Sequence, residues 1–253
     1  MVNPTVTMVL PMMILTMTKH NISVIITAAG SSTRMGGGVK KEYLPLGEGT
    51  VLSNALLPFL NALDPFCVVI TCPKNRIEES RKAVMCDKRV LEKLTCKKME
   101  IVFTEGSYTR ALSVKAALEK LEQCAPQTDY VLIHDGARPF CSEAVIKNVV
   151  EPLDENTATT PAVTPTDTQK VIDENGFITE HLERSKLAAV QTPQGFHFSK
   201  LLEAHRRIAE EAATQKIARE YTDDTEIWQK YCGKVLTVAG DPSNKKITYQ
   251  EDM

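Results

Sequence analysis

The sequence is short of charge imbalance, of metal-ligand spacing and of long apolar runs, and each shortage excludes a class of function. Its 30 Lys plus Arg stand against 32 Asp plus Glu, a formal net charge of −2, which excludes a general polyanion binder. No basic run carries interleaved aromatics, so nucleic acid is not an expected partner, and Lys97-Lys98 reads as solvated surface. The cysteines, at positions 67, 72, 86, 96, 124, 141 and 232, form no C-x-x-C pair and have no partnered histidine spacing. That excludes a zinc or redox motif; they read as reduced thiols, several of them small buried hydrophobes, in a cytoplasmic protein. A membrane span needs about twenty apolar residues. The apolar stretch Met8 to Met17 is shorter, carries Pro11 and Thr16, and lacks the basic start and small-residue cleavage site of a signal peptide. Residues 1–18 are therefore expected to be a flexible extension and 19–253 a single domain, with no membrane partner. There is no internal repeat or low-complexity tract.

What is present is the balance of a folded protein, 43% hydrophobic and 25% charged over 253 residues. From Ser23 onward, short β-rich runs alternate with helical segments. Strands are expected at Ser23 to Ala28, Phe66 to Thr71, Glu100 to Thr104, Tyr130 to His134 and Ala158 to Val163. Helices are expected at Val51 to Leu63, Arg76 to Leu94, Thr109 to Cys124 and Ser142 to Leu153, the last capped by Ser142. Ser199 to Ala213 reads as an amphipathic helix serving the core, and Asp223 to Tyr231 and Lys234 to Ala239 as a further helix and strand. Continuous apolar strands alternating with helices define an α/β class with a doubly wound, mostly parallel sheet covered on both faces. One segment breaks this rhythm. Asn175-Gly176 lies between Val171-Ile172 and Phe177-Ile178, a strong hairpin signal, and a two-stranded hairpin needs a surface to pack on, either its own domain or a second subunit.

In a doubly wound sheet the ligand sits outside the carboxyl ends of the strands, so the loops Ala29 to Tyr43, Glu105 to Arg110, Asp135 to Pro139 and Thr164 to Lys170 are the places to look. The first combines small residues, which let backbone N–H groups approach a polyphosphate, with Arg34, Lys40 and Lys41 against Glu42. It is neither a P-loop, since Met35 stands five residues after Gly30, nor a dinucleotide fingerprint, since Ser32 occupies the second glycine position. Asp135, at a strand end, could bind Mg²⁺, orient a ribose or cap the next turn; a nucleotide or metal role is favoured. His134 reads as a satisfied strand-end histidine. Arg110 reads either as a nucleotide contact or as the solvent face of its helix.

Several motifs occur in register: Ala28-Ala29-Gly30-x-x-x-Arg34-Met35 with Lys41-x-Tyr43, Arg110-x-x-Ser113-Val114, His134-Asp135-Gly136-Ala137-Arg138-Pro139, Asp167-Thr168-x-Lys170, Gln191-Thr192-Pro193-Gln194, Thr222-Asp223-Asp224 and Asn244-x-Lys246-Ile247-Thr248. Together, over residues 22–253, they resemble the 2-C-methyl-D-erythritol 4-phosphate cytidylyltransferases. The resemblance implies a Rossmann-like nucleotidyltransferase with a protruding hairpin arm. It implies transfer of CMP from CTP to a polyol phosphate, with Mg²⁺ as cofactor and pyrophosphate released.

By the same resemblance Arg34 and Lys41 are the catalytic cations. Ala28, Ala29, Gly30, Arg110, Ser113, Asp135 and Gly136 meet the nucleotide, with Asp135 also the metal candidate. Arg138, Thr168, Thr192, Thr222 and Lys246 meet the polyol phosphate. Arg184 comes from a partner's arm, spanning about residues 167–187, which turns the hairpin into an expected homodimer contact. Ser32 and Ser107 stand where glycines are common in the family, leaving the backbone path open at both points. A ribitol 5-phosphate cytidylyltransferase is the nearest rival activity, and a non-catalytic nucleotide-binding regulator a more distant one.

Overall fold

The computed structural model describes residues 20–32, 40–214 and 221–253. Along the chain, β1 (Ile22–Thr27) is followed by a small ladder of β2 (Pro45–Leu46) and β3 (Gly49–Thr50), α1 (Val51–Ala62), β4 (Val68–Cys72), α2 (Ile77–Met85) and α3 (Lys88–Lys97). Next come β5 (Ile101–Glu105), α4 (Arg110–Cys124), β6 (Tyr130–Asp135), α5 (Glu143–Val150) and β7 (Thr157–Val163). A hairpin of β8 (Lys170–Ile172) and β9 (Ile178–His181) forms its own two-stranded sheet. Then β10 (Ala189–Val190), β11 (Gln194–His197), α6 (Phe198–Thr214), α7 (Asp224–Tyr231) and β12 (Lys234–Ala239) complete the order.

The main sheet has eight strands in the order β5-β4-β1-β6-β11-β7, with β10 and β12 both bonded to β7. Strands β5, β4, β1 and β6 are parallel neighbours and β12 is parallel to β7, whereas β10 and β11 run antiparallel. Side chains alternate across each strand. Val24, Ile26, Val68, Ile70 and Leu132 therefore pack against α1, α2, α3 and α5, while Ile25, Val69, Val131 and Ile133 pack against α4, α6 and Trp228. This double coverage is why the strands read as unbroken apolar runs. From β1 the chain moves outward to β4 and β5, and α4 then carries it back past β1 to β6. The strand order reverses between β1 and β6, which fixes where a crevice can open. Among the described residues no helix is long and apolar enough to cross a membrane.

The expected elements form, mostly within a residue or two, and Ser142 caps α5 by accepting from the Val145 N–H. One expectation needs correction. The single helix from Arg76 to Leu94 is two helices, because Asp87 interrupts it: its carboxylate caps α3 through the Arg89 N–H and accepts from Ser53 Oγ at 2.9 Å. The hairpin at Asn175-Gly176 forms as expected, closed by a three-residue loop. The Asp173 N–H donates to the Phe177 carbonyl at 2.9 Å, enclosing three residues with Gly176 at φ +86°, the loop type that places glycine in the left-handed region. Strands β10 and β11 were not expected, since Thr192-Pro193-Gln194-Gly195 has turn composition. Of the cysteines, 67, 72 and 141 are buried, whereas 86, 96 and 124 are exposed. Ile172, Phe177 and Ile178 of the arm are 62%, 72% and 56% exposed in the single chain.

Asp87 generates a stability prediction. It is fully buried, and the Arg89 guanidinium holds its carboxyl below the ordinary range against burial. Asp87→Ala should lower the unfolding free energy by about 2–4 kcal/mol, combining a lost cap with orphaned partners. Its carboxylate is depressed in the fold, so this stabilisation is present above the unfolded value near 3.8 and fades as pH falls below it. Urea titrations of both proteins at pH 7 and pH 3 would check the size and the direction; an unchanged midpoint at pH 7 contradicts the assignment.

Candidate active site

The crevice between β1 and β6 is a cleft of about 520 Å³. Its floor is made by small residues held tightly. The Ala28 N–H donates to Thr71 Oγ1 and the Gly136 N–H to the Thr27 carbonyl, so Ala28 and Gly136 stand behind the wall while Ala29 and Gly30 line it. Opposite lies the β5–α4 loop. A Cβ on Gly106 would come within 2.3 Å of the Ala29 Cβ, so glycine is what lets the two loops close on each other. Ser113 lines the cleft and also staples this loop: its hydroxyl accepts from the Ser107 N–H at 2.9 Å and lies 2.8 Å from the Thr109 carbonyl. Ser107 keeps ordinary backbone geometry. Ser32 does not, since at φ +55° it occupies the region a glycine favours, and its hydroxyl donates to Glu42 Oε2 at 3.1 Å.

Lys41 opens a 3-10 turn, is buried, lines the cleft, and donates from Nζ to the Ile247 carbonyl at 2.7 Å. Lys40 beside it is turned inward onto Glu42 at 2.7 Å and onto the Gly30 carbonyl; burial lowers its pKa, opposed by Glu42. Arg34 lies outside the described residues.

Asp135 ends β6 at the centre of the site. Lys246 Nζ is 2.7 Å from its Oδ2, Arg138 Nε 3.7 Å from the same oxygen, and Arg110 Nε 3.8 Å from Oδ1. Thr27 Oγ1 donates to Oδ1 at 3.3 Å. Burial pushes this carboxyl up, but the three cations together hold it well below the usual carboxylate range. Arg110, Asp135 and Lys246 also border a second lobe of about 210 Å³ that contains Arg138, Thr192 and Thr222. Ala29, Gly30, Lys41, Arg110, Ser113 and Asp135 thus line a lobe against the glycine loops, and Arg138, Thr192, Thr222 and Lys246 one beyond Asp135.

The polar chain behind Asp135 has a fixed direction. The Asp135 N–H donates to Thr192 Oγ1, which lies 2.9 Å from His134 Nδ1, while His134 Nε2 lies 3.0 Å from the Arg138 carbonyl. A carbonyl can only accept, so the proton is on Nε2 and the Thr192 hydroxyl donates to Nδ1. Thr192 therefore supports the loop as well as lining the second lobe. Arg138 donates from Nη1 to the Asn244 carbonyl at 2.7 Å, and its buried Nε has no hydrogen-bond partner among the described residues. Thr168 and Arg184 are different: Arg184 donates to Thr168 Oγ1 at 3.1 Å, both are exposed, and neither lines a lobe within the single chain.

Gln191, Asp224 and Asn244 stand in the quoted motifs but were given no role, and His205 stands in none of them. Arg110 is not on a solvent face; its Nη1 donates to buried Asp224 at 2.6 Å. Asp224 stood in plain view beside Thr222, but its partner is 114 positions away. For a metal, no group of three His, Cys, Asp or Glu side chains comes together among the described residues. The donor set, one carboxylate at the junction of the lobes, fits a Mg²⁺ that arrives with phosphate oxygens and waters, since that ion takes only one or two protein carboxylates in such sites.

A cleft at the switch point of a doubly wound sheet, floored by small residues and lined by Lys41, Arg110 and Lys246, with Arg138 in the adjoining lobe, gives this α/β protein two neighbouring hollows rimmed by positive charge. Residues 22–253 match the sequence profile of the 2-C-methyl-D-erythritol 4-phosphate cytidylyltransferases, a family of nucleotidyltransferase enzymes, and the chain belongs to that family. The protein of that name from Clostridium beijerinckii is 37% identical over 234 residues, 92% of this chain and 95% of its own. A bifunctional enzyme IspD/IspF from Nitrobacter winogradskyi is 37% identical over 90% of this chain, which spans only 53% of that relative's length. The crystal structure of 4-diphosphocytidyl-2C-methyl-D-erythritol synthase from Anaerococcus prevotii superposes with a TM-score of 0.70 at 28% identity, covering 92% of both chains.

His134 supplies a pH prediction. Burial lowers it to about 4, against the pull of the Arg138 carbonyl. The unfolded chain then binds a proton near 6.5 that the folded chain refuses. Stability is therefore full above that value and declines by about 3 kcal/mol as pH falls toward 4. Denaturant melts of the wild type and of His134→Asn between pH 7 and pH 4.5 would check this; equal slopes in the two proteins contradict it.

Proposed function

We propose that this chain transfers CMP from CTP to 2-C-methyl-D-erythritol 4-phosphate, releasing pyrophosphate and forming 4-diphosphocytidyl-2-C-methyl-D-erythritol. The observation that carries the reading is the pair of lobes meeting at Asp135, Arg110 and Lys246, in a chain so similar to proteins bearing that name. The nucleotide belongs in the lobe of Ala29, Gly30 and Ser113, the polyol phosphate in the lobe of Arg138, Thr192 and Thr222. The acceptor oxygen is already anionic at neutral pH, so no general base is required. The oxygen attacks the α-phosphorus, a new P–O bond forms, and the bond to the β-phosphate breaks as pyrophosphate leaves.

The barrier to lower is repulsion between two anions, and positioned cations do that. Lys41 is placed for the nucleotide phosphates, with Arg34 the second expected cation; Lys246 and Arg138 serve the acceptor. Asp135 would hold a Mg²⁺ ion, which when bound would supply further charge neutralisation. Backbone carbonyls around the base would accept from the cytosine amine and reject uracil. We also assign the protein to the cytoplasm, consistent with thiols in no C-x-x-C arrangement, and to a homodimer, in which the exposed apolar residues of the arm find cover and Arg184 reaches the partner's second lobe.

Two measurements test this. Pyrophosphate release with CTP should be supported by methylerythritol phosphate far better than by ribitol 5-phosphate, and Lys41→Met should depress kcat by roughly 10² or more. Turnover favouring ribitol phosphate, or a Lys41→Met enzyme near full rate, contradicts the reading. For the dimer, mixing Arg184→Ala with Lys41→Met protein should restore activity through hybrid dimers. Absence of recovery after demonstrated subunit exchange argues against a shared site.

A further inference from the structure

Arg110 borders both lobes and opens α4, a helix end where the dipole disfavours positive charge. Two carboxylates compete for it. Its Nη1 donates to Asp224 Oδ2 at 2.6 Å, while its Nε stays 3.8 Å from Asp135 Oδ1. Asp224 is fully buried at the first position of α7. Burial raises its pKa, but Arg110 and His205 together bring it below the ordinary range. Its second oxygen lies 3.1 Å from Nε2 of His205, itself fully buried on α6. The carboxylate can only accept, so His205 Nε2 carries the proton, and its buried Nδ1 has no hydrogen-bond partner among the described residues. Neither Asp224 nor His205 lines a lobe, and the transfer described above uses neither.

We propose that Asp224 and His205 are positioning residues that draw Arg110 off Asp135 and so keep the junction of the two lobes open to phosphate. The proposal rests on the cytidylyl-transfer reading. A guanidinium faced with two carboxylates pairs with the one that is better oriented, and the His205 N–H fixes Asp224 so that Oδ2 points forward. With Asp224 neutral, Asp135 becomes the strongest anion within reach. Arg110 then swings onto it as a close, charge-assisted pair across the space the nucleotide phosphates need, and Lys246 loses part of its hold on Asp135.

The experiment is a double-mutant cycle in the full chain: Asp224→Asn, Arg110→Ala and both together, with KM for CTP, kcat and CTP binding measured for each. Asp224→Asn should raise KM for CTP roughly ten-fold and add almost nothing once Arg110 is gone. His205→Gln, whose amide still donates, should stay near wild type, while His205→Leu should follow Asp224→Asn. Equal costs of Asp224→Asn with and without Arg110, or His205→Gln no better than His205→Leu, overturns the proposal. Should Asp224→Asn fail to fold, the His205 pair carries the same comparison. A crystal structure of Asp224→Asn without nucleotide gives a readout independent of turnover: the guanidinium should sit about 3 Å from Asp135, and an unmoved Arg110 also overturns the idea. If wild-type enzyme shows no turnover on methylerythritol phosphate, the functional reading fails, and the position of Arg110 in that crystal still decides this one.

Discussion

A single carboxylate buried among three cations sets the terms for this site. Taking the Asp135 charge out of water costs several kcal/mol unless partners answer it, and those partners come from distant parts of the chain. Arg138 follows it on the same loop, Arg110 opens α4, and Lys246 lies beyond β12. The final segment does more than contribute Lys246. The Asn244 carbonyl accepts from Arg138 and its amide donates to the Thr192 carbonyl, while Ile247 takes Lys41 Nζ on its carbonyl and donates its own N–H to Ala137. Three of the four residues from Asn244 to Ile247 thus lace both lobes together, in a segment that follows the last strand.

The sheet explains why that lacing occurs where it does. Strands β1 and β6 are neighbours whose following loops depart in opposite directions, and small residues at Ala28, Ala29 and Gly136 let backbone close in behind the gap. Gly106 does the same for the facing loop, where any side chain would collide with Ala29. The cleft is therefore a consequence of topology and residue size, with charge added at its rim.

How much of this was legible in the sequence depends on how far each cause reaches along the chain. The central strands were readable because both their faces are buried, which leaves an unbroken apolar run that needs no partner to interpret. The break at Asp87 was not, because helical periodicity runs through it and its meaning comes from Ser53, 34 positions away. Strand β11 hid behind proline and glycine, since it is specified by the slot between β6 and β7 and not by its own propensity. Adjacent lysines could not be told apart by residue type: Lys40 turns inward to Glu42 and Lys41 faces the cleft, a distinction set by one 3-10 turn. Ser32 shows the opposite failure, a positive φ without glycine, in which a hydroxyl bonded to Glu42 occupies a conformation that residue type alone would not suggest. Thr168 and Arg184 were legible only through resemblance, and a single chain leaves both on the exposed arm.

The histidines near the site sharpen the chemistry. His134 and His205 are both fully buried, each is committed to a carbonyl or carboxylate through Nε2, and neither opens onto a lobe. Neither imidazole therefore reaches a lobe to carry a proton, whereas Lys41, Arg110, Arg138 and Lys246 line the two lobes. That division matches what displacement by an anionic phosphate requires, since the nucleophile arrives deprotonated and only its repulsion from the triphosphate must be overcome. In such a site the imidazoles do their work at a distance. One holds the Asp135 loop and the other the carboxylate that pairs with Arg110, so that cations lining the lobes are oriented by side chains behind them.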